Sequence, residues 1–388
     1  MQKILSGLRS GLLGCGMAFV FLGGAHANSF AVIHSFAGGI NDGAGPLSGV
    51  APAPHGDFYV ATDGGGASGL GTLTLVRRDG SAQILHSFTG DADGQNADST
   101  PFRWSDGSLY ATTQFGGASG CGTVYRYIPG SPDYQQLQAF LCAPDGAFPF
   151  AGLADSGKGY LLGTGYNGGD DDDGTLIFVD LDGYSSSSCQ LKGSDGAHPF
   201  AGITMANGNI YTVTTAGGAA NLGTVTEFDP ANCATTVLHS FTGGSDGATP
   251  YGSLFLYKNV LYGTTSFGGD PNLGTAFRIN PDGSGYTVLH TFQGIDKHLD
   301  GSFPHGGLAL NEKDGMLFGT TINGGSPHDL GMVFKLNPKT GAENIVHAFS
   351  GSDGAHPYGN LYIKKNTIYG TTGSGGASNL GEVFKVKL

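Results

Sequence analysis

The apolar residues of this chain come in short runs, each closed off by Gly, Asp, Asn or Pro, and four kinds of run recur in a constant order. One copy reads Gly252-Ser-Leu-Phe-Leu-Tyr257 (segment A), a turn at Lys258-Asn259, Val260-Leu-Tyr-Gly-Thr264 (B), Gly274-Thr-Ala-Phe277 (C) and Val288-Leu-His-Thr-Phe292 (D). Runs this short, bounded by turn residues and rich in Val, Tyr, Phe and Thr, predict strands and not helices. The B–C connection carries Gly263-Thr-Thr-Ser-Phe-Gly-Gly269, with relatives at Gly319-Thr-Thr-Ile-Asn-Gly-Gly325 and Gly370-Thr-Thr-Gly-Ser-Gly-Gly376. The D–A connection carries Asp-Gly-x-x-Pro, beginning at Asp42, Asp145, Asp195, Asp246, Asp300 and Asp353; the second unit, ending at Pro101, lacks it.

The period follows from Thr62, Thr112, Thr164, Thr214, Thr264, Thr320 and Thr371, which are 50, 52, 50, 50, 56 and 51 residues apart. Four strands in about 50 residues is the size of a β-propeller blade. A single blade cannot cover its own apolar face, so neighbours must stack. The expected fold is therefore all-β, a seven-bladed β-propeller of four-stranded blades forming one domain over residues 28–388. The chain opens with a lone D segment, Phe30-Ala-Val-Ile-His-Ser-Phe36, and reaches Leu388 just after a C segment. The N-terminal strand is thus expected to complete the C-terminal blade, closing the ring and hiding its edge.

The repeated Gly-Thr-Thr-x-x-Gly-Gly-x-x-x-x-Gly with its downstream Phe resembles the bacterial GloVer tandem-repeat proteins, over nearly all of the chain after residue 27. The resemblance implies an exported, propeller-like protein and brings no activity with it. The closing Lys385-Val-Lys-Leu388 departs from the apolar tail or sorting motif expected of an anchored member.

Residues 1–27 have the form of a secretory signal peptide, with Lys3 and Arg9, an apolar run and then Ala25-His26-Ala27. Cys15 lies too early in the apolar segment for a good lipoprotein site. No later segment is long and apolar enough to span a membrane. The location expected is periplasmic, cell-surface or extracellular, for a monomer. Without Lys3 and Arg9, 16 Lys and Arg face 31 Asp and Glu, a net charge of −15. An acidic chain with no basic cluster excludes a nucleic-acid partner. Gly makes up 71 of the 388 residues, yet its regular spacing and the aromatic content of 11% exclude disorder.

Beyond the signal, Cys121, Cys142, Cys189 and Cys233 remain, an even number in an exported chain. If Thr123 lies opposite Phe140 in a hairpin, Cys121 falls opposite Cys142. Cys189 with Cys233 follows by elimination.

Up-and-down strands bring the B–C and D–A loops to one face, the face on which propellers commonly bind ligands. The Asp-Gly-x-x-Pro copies read as turn chemistry, or as an acidic ring joined by the run Asp170 to Asp173. Asp91, Asp93, Asn96 and Asp98 offer oxygen ligands in a Gly-containing loop, a calcium candidate without the terminal bidentate Glu of an EF-hand. His34, His86, His239, His290 and His347 occupy one D-strand position, filled elsewhere by Gln138 and Cys189, which marks them as structural. His298, His305 and His328 break the pattern. With Asp296, Lys297, Asp300 and Asp329 they form the least repetitive polar group, a candidate ligand, metal or acid/base site. Trp104 is the only Trp and either stacks on a sugar or packs in the core.

No Gly-x-Ser-x-Gly, Walker, Rossmann or His-Glu-x-x-His pattern is present. The leading expectation is a secreted, non-enzymatic binding or scaffold module that presents an acidic loop face to a glycan or envelope protein. The alternative is a polysaccharide-active enzyme at the channel mouth. For a glycosidase the carboxylates would be Asp296, Asp300 and Asp329; a lyase acting on acidic sugars is disfavoured by the scarcity of cations. A purely structural repeat is a third reading.

Overall fold

The computed structural model describes residues 29–388, apart from 132, 144, 182, 184, 185, 296–299 and 326–327. The expected signal segment lies outside the described residues, as do Asp296, Lys297 and His298. Seven antiparallel sheets follow one another along the chain, each ordered A-B-C-D. Their B strands are Phe58–Thr62, Leu109–Thr113, Tyr160–Gly165, Asn209–Thr214, Val260–Thr265, Met316–Gly324 and Thr367–Thr372. This is the seven-bladed propeller that the repeat predicts. Ser29–Ser35 supplies the last D strand, pairing with Glu382–Lys387 so that Phe30 faces Val386 and Val32 faces Phe384. In the sixth blade the D–A motif pairs over enough residues to form an extra strand, Gly301–Pro304, beside the end of Met316–Gly324. Among the described residues no helix is long and apolar enough to cross a membrane.

The repeated residues each have a packing reason. The Phe that follows six of the seven D strands (Phe36, Phe88, Phe140, Phe241, Phe292, Phe349) is fully buried, and Leu191 takes its place in the third blade. Four of them meet an aromatic ring on the C strand of the next blade edge-on, as in Phe241 with Phe277 at 5.5 Å and Phe349 with Phe384 at 5.3 Å. Each such ring contributes roughly 1.5–3 kcal/mol through burial. The Gly of the B segment makes room for the C-strand ring: a Cβ on Gly263 would stand 2.6 Å from Phe277. The paired Thr residues close the B–C corner. Hydroxyls of Thr62 and Thr72, Thr113 and Thr123, Thr214 and Thr224, and Thr265 and Thr275 meet at 2.8 Å.

Two details depart from expectation. Thr123 lies opposite Ala139, one residue from Phe140, in a pairing that carries a bulge between Val124 and Tyr125; the Cys121–Cys142 disulfide forms nonetheless, with Cα atoms 5.3 Å apart. Cys189 pairs with Cys233 at a Cα separation of 5.4 Å. The second unit does keep the D–A motif, with Ala97 in the place of Pro, and Asp93 does the work of the other Asp residues.

Candidate functional site

That work is a clamp. The Nε2 of His34, His86, His239, His290 and His347 donates to the carboxylate of Asp42, Asp93, Asp246, Asp300 and Asp353 at 3.0–3.2 Å. The same carboxylates accept the N–H of the residue after each D-strand Phe, among them Ala37, Thr89, Gln293 and Ser350. Gln138 replaces the imidazole towards Asp145 at 3.2 Å. With Cys189 in its disulfide, Asp195 instead accepts from Thr235 at 2.7 Å. Three of the five clamped His stack on an aromatic ring at the start of the next blade's D strand: His86 on Tyr134, His239 on Tyr286, His347 on Phe30, with centroids 3.7–4.0 Å apart. Burial holds His86, His239 and His347 below the ordinary imidazole range, against the pull of their carboxylates. The Asp ring is therefore bound into the scaffold.

At one junction the stacking ring is replaced by Glu343. Its carboxylate, His290 and Asp300 place ligand atoms within 4.8 Å of one another, the one such group of three among the described residues. Burial, and then the Asp300 charge, pushes the Glu343 pKa up to about 7.

A different kind of site lies where the blades converge. The D–A loop of each blade bridges to the B–C loop of the same blade, as Ala197 does to Ala216 and Ala248 to Phe267, so both loops share one face. Between them opens a cavity of about 320 Å³. Its wall is built from the residue after each motif Pro, or after Ala97: Leu47, Asp98, Phe150, Phe200, Tyr251, His305 and Tyr358. Small residues behind them let backbones meet. A Cβ on Gly306 would stand 2.7 Å from the Gly359 carbonyl oxygen, and Gly202 N–H donates to Ser253 Oγ at 2.9 Å. The rings touch in sequence: Phe150 on Phe200 at 4.5 Å, Phe200 against Tyr251 at 5.0 Å, Tyr251 on His305 at 4.8 Å, and His305 against Tyr358 at 5.3 Å. Burial draws the His305 pKa down to about 4, which leaves a neutral imidazole at pH 7.

Opposite in character is the corner formed by Asp63 and Asp98. Asp63 follows the Thr of its B strand, where the other blades have Gln114, Tyr166, Thr215, Ser266, Ile322 and Gly373. Asp98 shares a hydrogen bond with the Asp63 carboxyl, and burial, then the Asp63 charge, pushes its pKa up to about 8. Asn96 Nδ2 donates to Asp63 Oδ1 at 2.6 Å, while Asp98 Oδ1 is shut off from solvent without a partner. Among the described residues the lining contains no Lys or Arg.

Of the residues singled out in the sequence, His305 and Asp98 line this cavity. The other described ones are elsewhere, and Asp296, Lys297 and His298 lie outside the described residues. Asp93 sits in its clamp and Asn96 supports Asp63, so the four oxygen donors of the 91–98 loop do not gather around one point. Asp300 is buried in the His290 clamp, away from the cavity lining. Asp329 accepts from Gly324 N–H at 2.6 Å, the turn role that Asp172, Asn221, Asn272 and Asn379 play in other blades. His328 is exposed. Trp104 packs against Phe102 and Tyr110 in the core between the second and third blades. Asp63 escaped notice, although lining up the residue after each B-strand Thr isolates it as the one charged member.

The chain matches the Gloeobacter/Verrucomicrobia repeat over residues 9–189 and 179–384. It belongs to that family. A search of the curated proteins finds no match. Among solved structures it is similar to a puromycin-hydrolyzing peptidase from Mycobacterium tuberculosis (TM-score 0.55, 15% identity, 88% of this chain and 50% of that one). It is also similar to the extracellular domain of a one-component system from B. thetaiotaomicron (0.59, 14%, 92% and 40%). A third is oligogalacturonate lyase from Vibrio parahaemolyticus (0.58, 10%, 93% and 97%). The chain thus spans half or less of the first two, and identities this low show a shared propeller fold alone.

Proposed function

We propose that this family member is an exported, non-enzymatic binding module that takes its ligand in the axial cavity of the loop face. The observation that carries this reading is the Asp63–Asp98 corner in an otherwise aromatic lining: the two positions are uncharged in every other blade, and the two exceptions meet. The two disulfides fit an extracytoplasmic protein, and export under residues 1–27 belongs to the same proposal. A glycosidase pair would flank a bond at about 5 Å or more, whereas these carboxyls hydrogen-bond to each other. An anionic polysaccharide would meet two acids and, among the described lining residues, no cation. Thermal-shift and glycan-array screens of residues 28–388, run beside a reducing-sugar release assay, test the reading. Binding without release, lost in Phe200→Ala, supports it. Sugar release abolished by Asp98→Asn, or binding unaffected by Phe200→Ala, overturns it.

A further inference from the structure

We propose that the group held at the acidic corner of the cavity is a protonated amine, so that the module recognises a small organic ammonium; this rests on the cavity being the binding site. Two carboxyls side by side in a ring-lined cavity are costly unless a cation or hydrogen-bond donors compensate them. Among the described residues the scaffold supplies one side-chain donor, Asn96, to Asp63, and the lining offers the pair no cation. An ammonium brings the missing charge and N–H donors together.

The remaining wall suits the rest of such a ligand. Tyr251, Tyr358 and Phe200 offer π-faces that attract a cation and cover an apolar body, and neutral His305 adds no repulsion. A calcium ion is the poorer fit, because it takes six to eight oxygens and most of this lining consists of rings and glycines. The volume, about 320 Å³, stands at the low end of small-molecule cavities, roughly 300–1,000 Å³.

Arrival of the cation would also move a proton. The titratable side chains lining the cavity are Asp63, Asp98, Tyr251, His305 and Tyr358. A cation beside the acid pair favours ionisation of both, so the proton the pair shares leaves to solvent as the amine docks. No covalent bond is made or broken.

Calorimetric titration of the protein at pH 7 with benzylammonium, benzyl alcohol and benzoate tests this. Benzylammonium is expected to bind at least about tenfold more tightly than benzyl alcohol, the ratio that ~1.4 kcal/mol supplies, with benzoate silent. Asp98→Asn and Asp63→Asn should each remove that preference while keeping the near-UV circular dichroism of the parent. Repeating the wild-type titration in buffers of different ionisation heat should show proton release, a readout that needs no variant. Equal binding of the alcohol and the ammonium, or no proton release, overturns the amine inference and leaves the cavity reading standing. Silence with all three probes overturns both.

Discussion

The clamps and the cavity are built from the same loops, yet they treat charge in opposite ways. In a clamp each Asp has a His or Gln beside it and a backbone N–H on it, and the arrangement recurs around the ring. In the cavity Asp98 faces another carboxyl, keeps one oxygen without a partner and occurs once. A partnered, repeated acid holds the D–A loop against its strand and contributes to stability. A singular acid facing another carboxyl costs stability, which makes it a candidate for function. Repetition thus separates scaffold from site better than residue type does, since Asp serves in both.

The contrast can be broken most forcefully from the scaffold side. Phe349→Ala removes a fully buried ring from an inter-blade core and should cost about 3–5 kcal/mol in urea unfolding; a loss under about 1 kcal/mol would dissolve the packing account. Reduction of the two disulfides should lower the melting temperature, each bond being worth about 2–4 kcal/mol. Next comes the clamp. Asp353→Ala strands His347 Nε2 and the Ser350 N–H and should destabilise by about 1–3 kcal/mol. Asp98→Asn is expected to be neutral or stabilising at pH 8, and a loss equal to that of Asp353→Ala would erase the distinction drawn here.

The smallest effect is read from pH. Asp98, Glu343 and Glu382 have folded-state pKa values of about 8, 7 and 7, raised chiefly by burial. The folded protein therefore holds protons that the unfolded chain has already lost, and their contribution, full below about pH 4, declines as pH rises through 7–8. His305 acts in the opposite sense: its depressed pKa makes its contribution decline as pH falls from about 6.5 through 4. Thermal melts should show stability falling between pH 6.5 and 8.5, with a shallower fall in Asp98→Asn. An unchanged slope would mean that Asp98 is ionised in the folded state.

Much of the fold was legible before any coordinates, and particular residues show why. Thr264, Phe292 and Gly263 recur because each blade must solve the same packing problem, so one copy explains the others. His290 read correctly as structural for the same reason. The candidate site was legible only in part. His305 and Asp98 stood out, but Asp98 was grouped with its sequence neighbours Asp91 and Asp93, and Asp300 and Asp329 looked special until their clamp and turn roles appeared.

By itself the sequence determined the strand order, the blade count and the ring closure, and pointed to Cys121 with Cys142, while Cys189 with Cys233 followed only by elimination. Those depend on local patterns repeated at a fixed period, which chain order alone carries. Only the tertiary structure decided which polar residues share a space. Asp93 and Asp98 lie in one loop and part company, one turned to His86 and the other to the axis. Asp63, from the neighbouring blade, becomes the partner because blade stacking, and not chain proximity, sets the distances around the cavity.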